Sequence, residues 1–179
     1  MELRIATQDR EIDYIHSLYV RAFPFVEQKP FRDILDLQAR GICDLYIITH
    51  EGSHCGLAVV HTVKDTALLD YFAIDEKFRG MGLGGMALDA LTAHYADRYF
   101  YIEIERIDPA SDNNEQRTSR RQFYLNHGFV PCDLYARMWG VEMEILAHRR
   151  PVTWLQCRRT YCGMYRFHPR SFIKIRPIR

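Results

Sequence analysis

Residues 79–85 read Arg79-Gly80-Met81-Gly82-Leu83-Gly84-Gly85 and stand between an apolar strand pattern and an amphipathic helix pattern. This stretch places a cluster of free backbone N–H groups where a helix begins. The first N–H groups of a helix have no acceptor inside the helix, and the dipole there carries about half a positive charge. Glycines let an anion approach that backbone closely. We therefore predict a phosphate or pyrophosphate cradle rather than an ordinary glycine-rich turn.

One register of these glycines, Gly80-x-Gly82-x-x-Gly85, matches the fingerprint of dinucleotide-binding folds. Glu103 also lies near the spacing of the acid that binds the ribose in such folds. In those folds, however, the first glycine follows the strand almost at once, whereas residues 75–79 intervene here. A dinucleotide-dependent oxidoreductase is therefore kept only as a disfavoured alternative.

The other register, Arg79-x-x-Gly82-x-Gly84, resembles the acetyl-CoA signature of the GCN5-related N-acetyltransferases, the GNAT family. The apolar stretch 69–75, a short charged loop and the glycines follow one another as they do in that family. Residues 123–129, Phe-Tyr-Leu-Asn-His-Gly-Phe, are similar to the family's second hallmark, a helix that ends in Phe-Tyr-x-x-x-Gly-Phe. Two motifs in the right order are more specific than either alone. The resemblance covers roughly residues 3–131 and assigns no subfamily.

This resemblance implies a GNAT-like mixed α/β (α+β) fold. The expected central sheet is mostly antiparallel, has six or seven strands with a splayed central pair, and is flanked by about four helices. Apolar spacing independently predicts helices near 12–22, 31–41, 83–95 and 115–126, and strands near 3–6, 45–49, 55–61, 67–74 and 99–105. Residues 137–146 read either as a final strand pair or as one long strand with a kink at Gly140.

The resemblance also implies transfer of an acetyl or longer acyl group from CoA to a primary amine, with acetyl-CoA as cosubstrate and no metal. The splayed strand would hold the pantetheine arm and the glycine stretch the pyrophosphate. Arg117 stands where family members often place an asparagine, so it either contacts the phosphates or covers the helix surface. The residues expected to bind acetyl-CoA are Phe72, Ala73, Ile74, Arg79, Gly80, Met81, Gly82, Leu83, Gly84, Gly85 and Arg117.

Two catalytic residues are expected from the same resemblance. An alkyl amine has a pKa near 10.4 and must lose a proton before it attacks, so a base is needed. Glu103 lies in the family's apolar-Glu-apolar triplet and is the candidate base, with Glu105 second and Asp70 third. Tyr124 occupies the family's position for the proton donor. A phenol with a pKa near 10 stays protonated at neutral pH and can donate to the departing thiolate.

The acceptor amine is not identified by the sequence, and both a small molecule and a protein amine remain open. In the family, the acceptor groove is built from the first helix pair and the C-terminal strands. Here that indicates residues 23–27 and 135–144, where Glu27, Glu142 and Glu144 would suit a cationic amine. Solvated surface carboxylates are the other interpretation of these three residues.

Length and composition place further bounds on the 179-residue chain. We expect an acetyltransferase domain at 1–148 and a basic, aromatic segment at 149–179 that packs on this domain or on a partner in a homodimer. The net charge is +1, yet all acids lie at or before Glu144, so the charged residues of 149–179 are all basic. A basic segment can bind nucleic acid. Because this segment is also aromatic and is expected to pack, nucleic acid is an unlikely but open partner. A non-catalytic CoA- or nucleic-acid-binding module is the alternative function. Scattered cysteines and the absence of a long apolar run predict a cytoplasmic protein without a membrane partner.

Overall fold

The computed structural model describes residues 1–138, 140–165 and 173–177, with the backbone alone for Met138 and residues 173–177. The helices are Asp9–Ala22 (α1), Phe31–Ala39 (α2), Leu83–His94 (α3), Asn114–Asn126 (α4) and Trp154–Met164 (α5). The strands are Glu2–Ile5 (β1), Cys43–His50 (β2), Ser53–Val63 (β3), Thr66–Ile74 (β4), Tyr99–Glu105 (β5), Phe129–Met138 (β6), Val141–His148 (β7) and Ile173–Pro177 (β8). Two short 3-10 turns occupy Phe25–Glu27 and Glu76–Phe78.

The first compact unit comprises Met1–Thr62 and Leu69–His94. Its strands follow one another in the order β1-β2-β3-β4, and both the β1–β2 and the β2–β3 pairs are antiparallel. Successive side chains of a strand point to opposite faces. Accordingly, Leu45 and Ile47 of β2 are buried with the residues of α1 and α2, whereas Tyr46 packs its ring against His94 of α3. Strand β2 is therefore buried on both faces.

The second compact unit comprises Val63–Leu68 and Tyr95–Arg179. Its strand order is β5-β7-β6-β8, and each of these pairs is antiparallel. Helix α5 buries Cys157, Tyr161 and Met164 in one apolar cluster with Tyr101 of β5 and Ile145 of β7. This burial gives the unit its own core.

Polar contacts fix the position of α5 at the start of β4. Thr153 caps the helix in a reciprocal pair with Gln156, whose side chain also donates to Asp65 at 3.1 Å. The buried hydroxyls of Thr66 and Thr160 lie 2.8 Å apart. Part of the 149–179 segment is therefore an integral element of the second unit, while the domain boundary at 148 stays a prediction. Residues 166–172 and 178–179 of that segment lie outside the described residues.

The expected mixed α/β fold with mostly antiparallel strands is confirmed. The 137–146 stretch is a strand pair, because Met138 pairs with Val141 across the reversal at Gly140, and its first strand already begins at Phe129. Helix α5 and strand β8 add to the elements expected from the sequence. Within residues 1–138, 140–165 and 173–177, no helix combines the length and the apolar character that a membrane crossing needs.

Candidate functional site

The predicted anion cradle lies between β4 and α3. After the 3-10 turn at Glu76–Phe78, the backbone passes through Gly80 with φ +78° and Gly82 with φ +74°, and α3 begins at Leu83. Residues with a Cβ rarely adopt such positive φ values, so glycine is needed at both positions. A Cβ at either glycine would meet no atom within 4 Å. The space beside this backbone is therefore open.

The first amides of α3 follow these glycines directly. Met86 N donates to Gly82 O at 3.2 Å, whereas helix geometry leaves the earlier amides, those of residues 83–85, without an acceptor inside the helix. The first turn of α3 carries no acidic side chain. Arg79 is exposed and only loosely paired with Glu76, at 3.5 Å. Backbone donors, an open backbone and a nearby cation are the chemistry that a diphosphate needs, so the residues present fit the group.

The predicted pantetheine strand is the C-terminal end of β4, where Phe72, Ala73 and Ile74 are half-buried. Strand β3 approaches it closely at Gly56, where a Cβ would lie 2.6 Å from Ala73 O. Only glycine fits there without displacing the backbone. Gly56 cannot be recognised from the sequence, because an isolated glycine in a strand does not by itself show what it approaches.

Asp75 joins this strand to the cradle. Its backbone N–H donates to Cys55 O at 2.9 Å, and its carboxylate accepts from Lys77 N at 3.5 Å and from the Tyr14 hydroxyl at 3.3 Å. Arg21 lies 3.4 Å from the same carboxylate. The end of β4 is thereby fixed to both β3 and α1.

Asp70, two residues before Phe72, lies at the centre of a buried polar cluster. Its carboxylate is 2.5 Å from Lys29 Nζ and 2.9 Å from His61 Nε2. Burial alone would raise the pKa of Asp70, but the Lys29 ammonium and the His61 hydrogen bond together hold it well below the usual value. Burial lowers the pKa of His61, despite Asp70. An ionised carboxylate held this way is a weak proton acceptor, so the third candidate for the base is disfavoured.

The same contacts anchor the turn between α1 and α2, part of the predicted acceptor groove. The Tyr71 hydroxyl donates to Glu27 O at 2.7 Å, and Lys29 N donates to the Tyr19 hydroxyl at 2.7 Å. Next to these anchors, the side chains of Phe25 and Val26 are 89% and 80% exposed. The first unit thus presents two apolar side chains on a fixed turn.

Glu103, the candidate base, lies in the second unit on β5, directly opposite Ile145 of β7, and is half-buried. The pKa of the Cys157 thiol in α5 is raised mainly by burial and secondly by the charge of Glu103. Glu103 therefore lies on the side of β5 that α5 covers. Its catalytic role stays a prediction.

Glu105, two residues further along β5, is engaged by two guanidinium groups of α4. Its carboxylate lies 2.8 Å from Arg117 Nη2 and 3.3 Å from Arg120 Nη1. Arg117 also donates to Asn113 Oδ1 at 2.7 Å and to Arg106 O at 2.9 Å. These contacts support the interpretation in which Arg117 covers the helix surface, and its contact with the cofactor stays a prediction.

The two glutamates of β7 are also paired inside the second unit. Arg121 donates to both oxygens of Glu144, at 2.8 Å and 3.1 Å, and Arg106 donates to Glu142 at 3.1 Å. Glu144 is only 8% exposed. The hypothesis that Glu144 attracts a cationic amine is therefore not supported, because its charge is already balanced by a bidentate partner.

Tyr124, the candidate acid, is buried near the end of α4, with 8% of its surface exposed. Its ring makes edge contacts with Phe123 and Phe129, at centroid distances of 5.2 Å and 5.3 Å. Among the described residues, no group forms a hydrogen bond with its hydroxyl. Burial raises the pKa of Tyr124 to about 12, while the charge of Arg120 acts in the opposite direction. The phenol is therefore protonated at neutral pH, with its proton available.

In the part of the chain that the structure describes, no group of three or more histidine, cysteine, aspartate or glutamate side chains is arranged to hold a metal ion. The predicted site residues fall in two sets. The cradle and the end of β4 are contiguous in the first unit, and Glu103, Arg117 and Tyr124 lie in the second.

Comparison with known proteins identifies one family. The family model described as the acetyltransferase (GNAT) domain matches residues 41–131, which include the cradle and Tyr124. A search of curated proteins finds no significant match.

Solved structures give the same fold. A Bacteroides thetaiotaomicron protein described as a GNAT-family acetyltransferase aligns with a TM-score of 0.73 and 20% identity, over 96% of this chain and 98% of that one. The ribosomal-protein-S18-alanine N-acetyltransferase of Escherichia coli aligns with a TM-score of 0.63 and 17% identity, over 85% and 95%. A GNAT-family acetyltransferase from Elizabethkingia anophelis with acetyl-CoA bound aligns with a TM-score of 0.58 and 18% identity, over 82% and 96%.

Proposed function

This chain belongs to the GNAT acetyltransferase family, and we propose that it transfers the acetyl group of acetyl-CoA directly to a primary amine. The single observation that carries the proposal is the cradle at residues 80–85. Two positive-φ glycines leave open space there beside the unbonded first amides of α3. A glycine-rich turn with only a structural role would not need open space beside its backbone. Acidic side chains would be favourable at the helix start that follows such a turn, and here there are none.

Acetyl-CoA, when bound, supplies a thioester whose carbonyl carbon can be attacked and whose sulfur can leave as a thiolate. Amides of residues 82–85 would bind the pyrophosphate, and Arg79 would add charge. The backbone of Phe72, Ala73 and Ile74 would bind the amides of the pantetheine arm, and one of its N–H groups would stabilise the developing oxyanion. Gly56 supports this assignment. Because it has no side chain, the backbone of β3 can approach the carbonyl oxygen of Ala73 closely.

Glu103 is the proposed base, directly or through water, and Tyr124 the proposed acid. Glu103 would take a proton from the acceptor ammonium, so that the neutral amine can attack. Tyr124 would donate its proton to the thiolate sulfur as the C–S bond breaks. The hydroxyl of Tyr124 has no hydrogen-bond partner in the described part of the chain, and this supports its assignment, because a proton held in another hydrogen bond would be harder to deliver.

The acceptor is a primary amine of a small molecule or of a protein. The exposed Phe25 and Val26 on their anchored turn support an acceptor with an apolar group near the amine. One of the compared structures is the ribosomal-protein-S18-alanine N-acetyltransferase of Escherichia coli, so peptide α-amines are among the first acceptors that we would test. A cytoplasmic location and a homodimer stay predictions.

Two measurements test the proposal. Calorimetry with acetyl-CoA, NAD and NADP should show saturable binding for acetyl-CoA alone, and thermal stability should rise with ligand concentration as RT ln(1 + [L]/Kd) predicts. Thiol release should then be followed with a panel of primary amines and of peptides with free N-termini, against a blank without amine. Binding of NAD in place of acetyl-CoA would contradict the proposal. Binding without amine-dependent thiol release would favour the non-catalytic alternative.

A further inference from the structure

Arg120 and Tyr124 lie on the same face of α4. They are separated by four positions within Asn114–Asn126, and side chains at this spacing are neighbours on a helix, with Cβ atoms about 6 Å apart. The side chain of Arg120 is 43% exposed, whereas Tyr124 is buried. A guanidinium therefore lies one helical turn before the candidate acid, on the same side of the helix.

The charges around this pair leave a positive excess beside Tyr124. The carboxylate of Glu105 has two cationic partners, Arg117 at 2.8 Å and Arg120 at 3.3 Å, so one negative charge faces two positive charges. Arg117, with the shorter contact, balances Glu105. The next arginine, Arg121, is balanced by both oxygens of Glu144.

Tyr124 also contacts aromatic rings. Phe123 and Phe129 cover its ring, and His148 lies behind Phe129 at a centroid distance of 5.5 Å. Burial raises the pKa of Tyr124, and Arg120 is the group whose charge lowers it. A phenol is a weaker acid than a thiol, so any group that stabilises the phenolate makes protonation of the thiolate easier.

We propose that Arg120, held by Glu105, is a positioning residue that stabilises the charge developing on the Tyr124 oxygen during acetyl transfer. This inference rests on the proposed function. In the step concerned, the amine nitrogen bonds to the acetyl carbon and the C–S bond breaks. The O–H bond of Tyr124 then breaks and an S–H bond forms. The phenolate is reprotonated from solvent, and the proton that Glu103 takes from the amine, directly or through water, passes to solvent.

The test uses Arg120→Gln and Arg120→Lys in the full chain. Arg159→Gln is the matched control, because Arg159 is 36% exposed and also pairs with a carboxylate, Asp65 at 2.9 Å. Phenol ionisation is read out in the same proteins carrying a difluorinated tyrosine at position 124, because ring fluorines make the phenol more acidic and bring its titration to a pH at which the chain stays folded and a lysine stays charged. The 19F resonance of that ring reports ionisation without any need for activity. The kcat and the KM for acetyl-CoA are measured on the same proteins with one accepted amine.

In Arg120→Gln, the Tyr124 titration should move to higher pH and kcat should fall roughly fivefold, with little change in KM, as expected for one nearby charge. Arg120→Lys should restore both quantities, and Arg159→Gln should change neither. An unchanged Tyr124 titration in Arg120→Gln would overturn the inference while leaving the proposed function intact. A shifted titration with unchanged kcat would also overturn it. A wild-type protein that acetylates no amine would refute the proposed function itself.

Discussion

The Lys29 ammonium lies 2.5 Å from the Asp70 carboxylate, and the two side chains are only 14% and 9% exposed. His61, which is fully buried, contacts the same carboxylate at 2.9 Å. An ion pair that is buried and hydrogen-bonded on a second side resists protonation. Asp70 therefore fixes the end of the turn at Phe25–Glu27 to β4 and is poorly suited to accept a proton from an amine.

Replacing Asp70 by Asn should destabilise the protein by about 3–5 kcal/mol, because it leaves a buried ammonium without its counter-charge. Urea unfolding of Asp70→Asn measures the loss. The double variant Lys29→Met/Asp70→Asn is the control and should recover much of the stability, since the buried charge is then gone. A single variant that unfolds at the wild-type urea concentration would show that the ion pair contributes nothing.

His61 should make stability depend on pH. Its pKa is lowered by burial, so below about pH 6.5 the unfolded chain binds a proton that the folded chain does not. The free energy of unfolding should therefore fall as the pH drops from about 7.5 to about 5. In His61→Asn this fall should be smaller, and the difference between the two proteins isolates His61 from the other seven histidines. Parallel pH curves for the two proteins would exclude this role.

Gly82→Ala should weaken acetyl-CoA binding about tenfold, because a Cβ at φ +74° costs about 1–2 kcal/mol and intrudes on the open backbone. Gly41→Ala is the matched control. Gly41 has φ +66° and equally open surroundings, but it follows α2 and lies outside the predicted cradle. Both variants should lose similar stability in urea, and only Gly82→Ala should lose affinity in calorimetry. Equal affinities in the two variants would argue against the cradle.

Tyr124→Phe should lower kcat about a hundredfold and change the KM for acetyl-CoA little, since only the proton donor is removed. Its free energy of unfolding should stay near the wild-type value, because the hydroxyl has no partner among the described residues. Tyr99→Phe, a change of the same kind on β5, should keep full activity. Full turnover in Tyr124→Phe would rule out Tyr124 as the acid.

Glu103→Gln should lower kcat about a hundredfold near neutral pH. The deficit should shrink as the pH rises toward the pKa of the amine, because the acceptor then loses its proton without help. Glu115→Gln, which removes an exposed carboxylate from the first turn of α4, is the control and should follow the wild-type pH profile. A constant ratio of wild-type to Glu103→Gln activity across this range would mean that Glu103 is not the base.

The sequence by itself determined the glycine turn before α3, the family and most elements of the two units. These features depend on residues that are contiguous in the sequence. Gly80 and Gly82 permit a positive φ, and the apolar pattern after them predicts a helix. The hairpin from β2 to β3 could be predicted for the same reason. Helix α5 could not be predicted in the same way, because its buried residues lie among charged ones in the sequence. Only the residues that pack against it, such as Tyr101, show which face of the helix is buried.

The ion-pair partners of the candidate carboxylates were decided only by the tertiary structure. Asp70, Glu105 and Glu144 look alike in the sequence, yet long-range partners pair them with Lys29, with two arginines of α4 and with Arg121. Which cation a carboxylate meets depends on residues that are 12 to 41 positions away along the chain. The close approach of Gly56 to Ala73 was likewise decided by the tertiary structure, because the sequence of one strand does not state which backbone atoms of the neighbouring strand lie next to it.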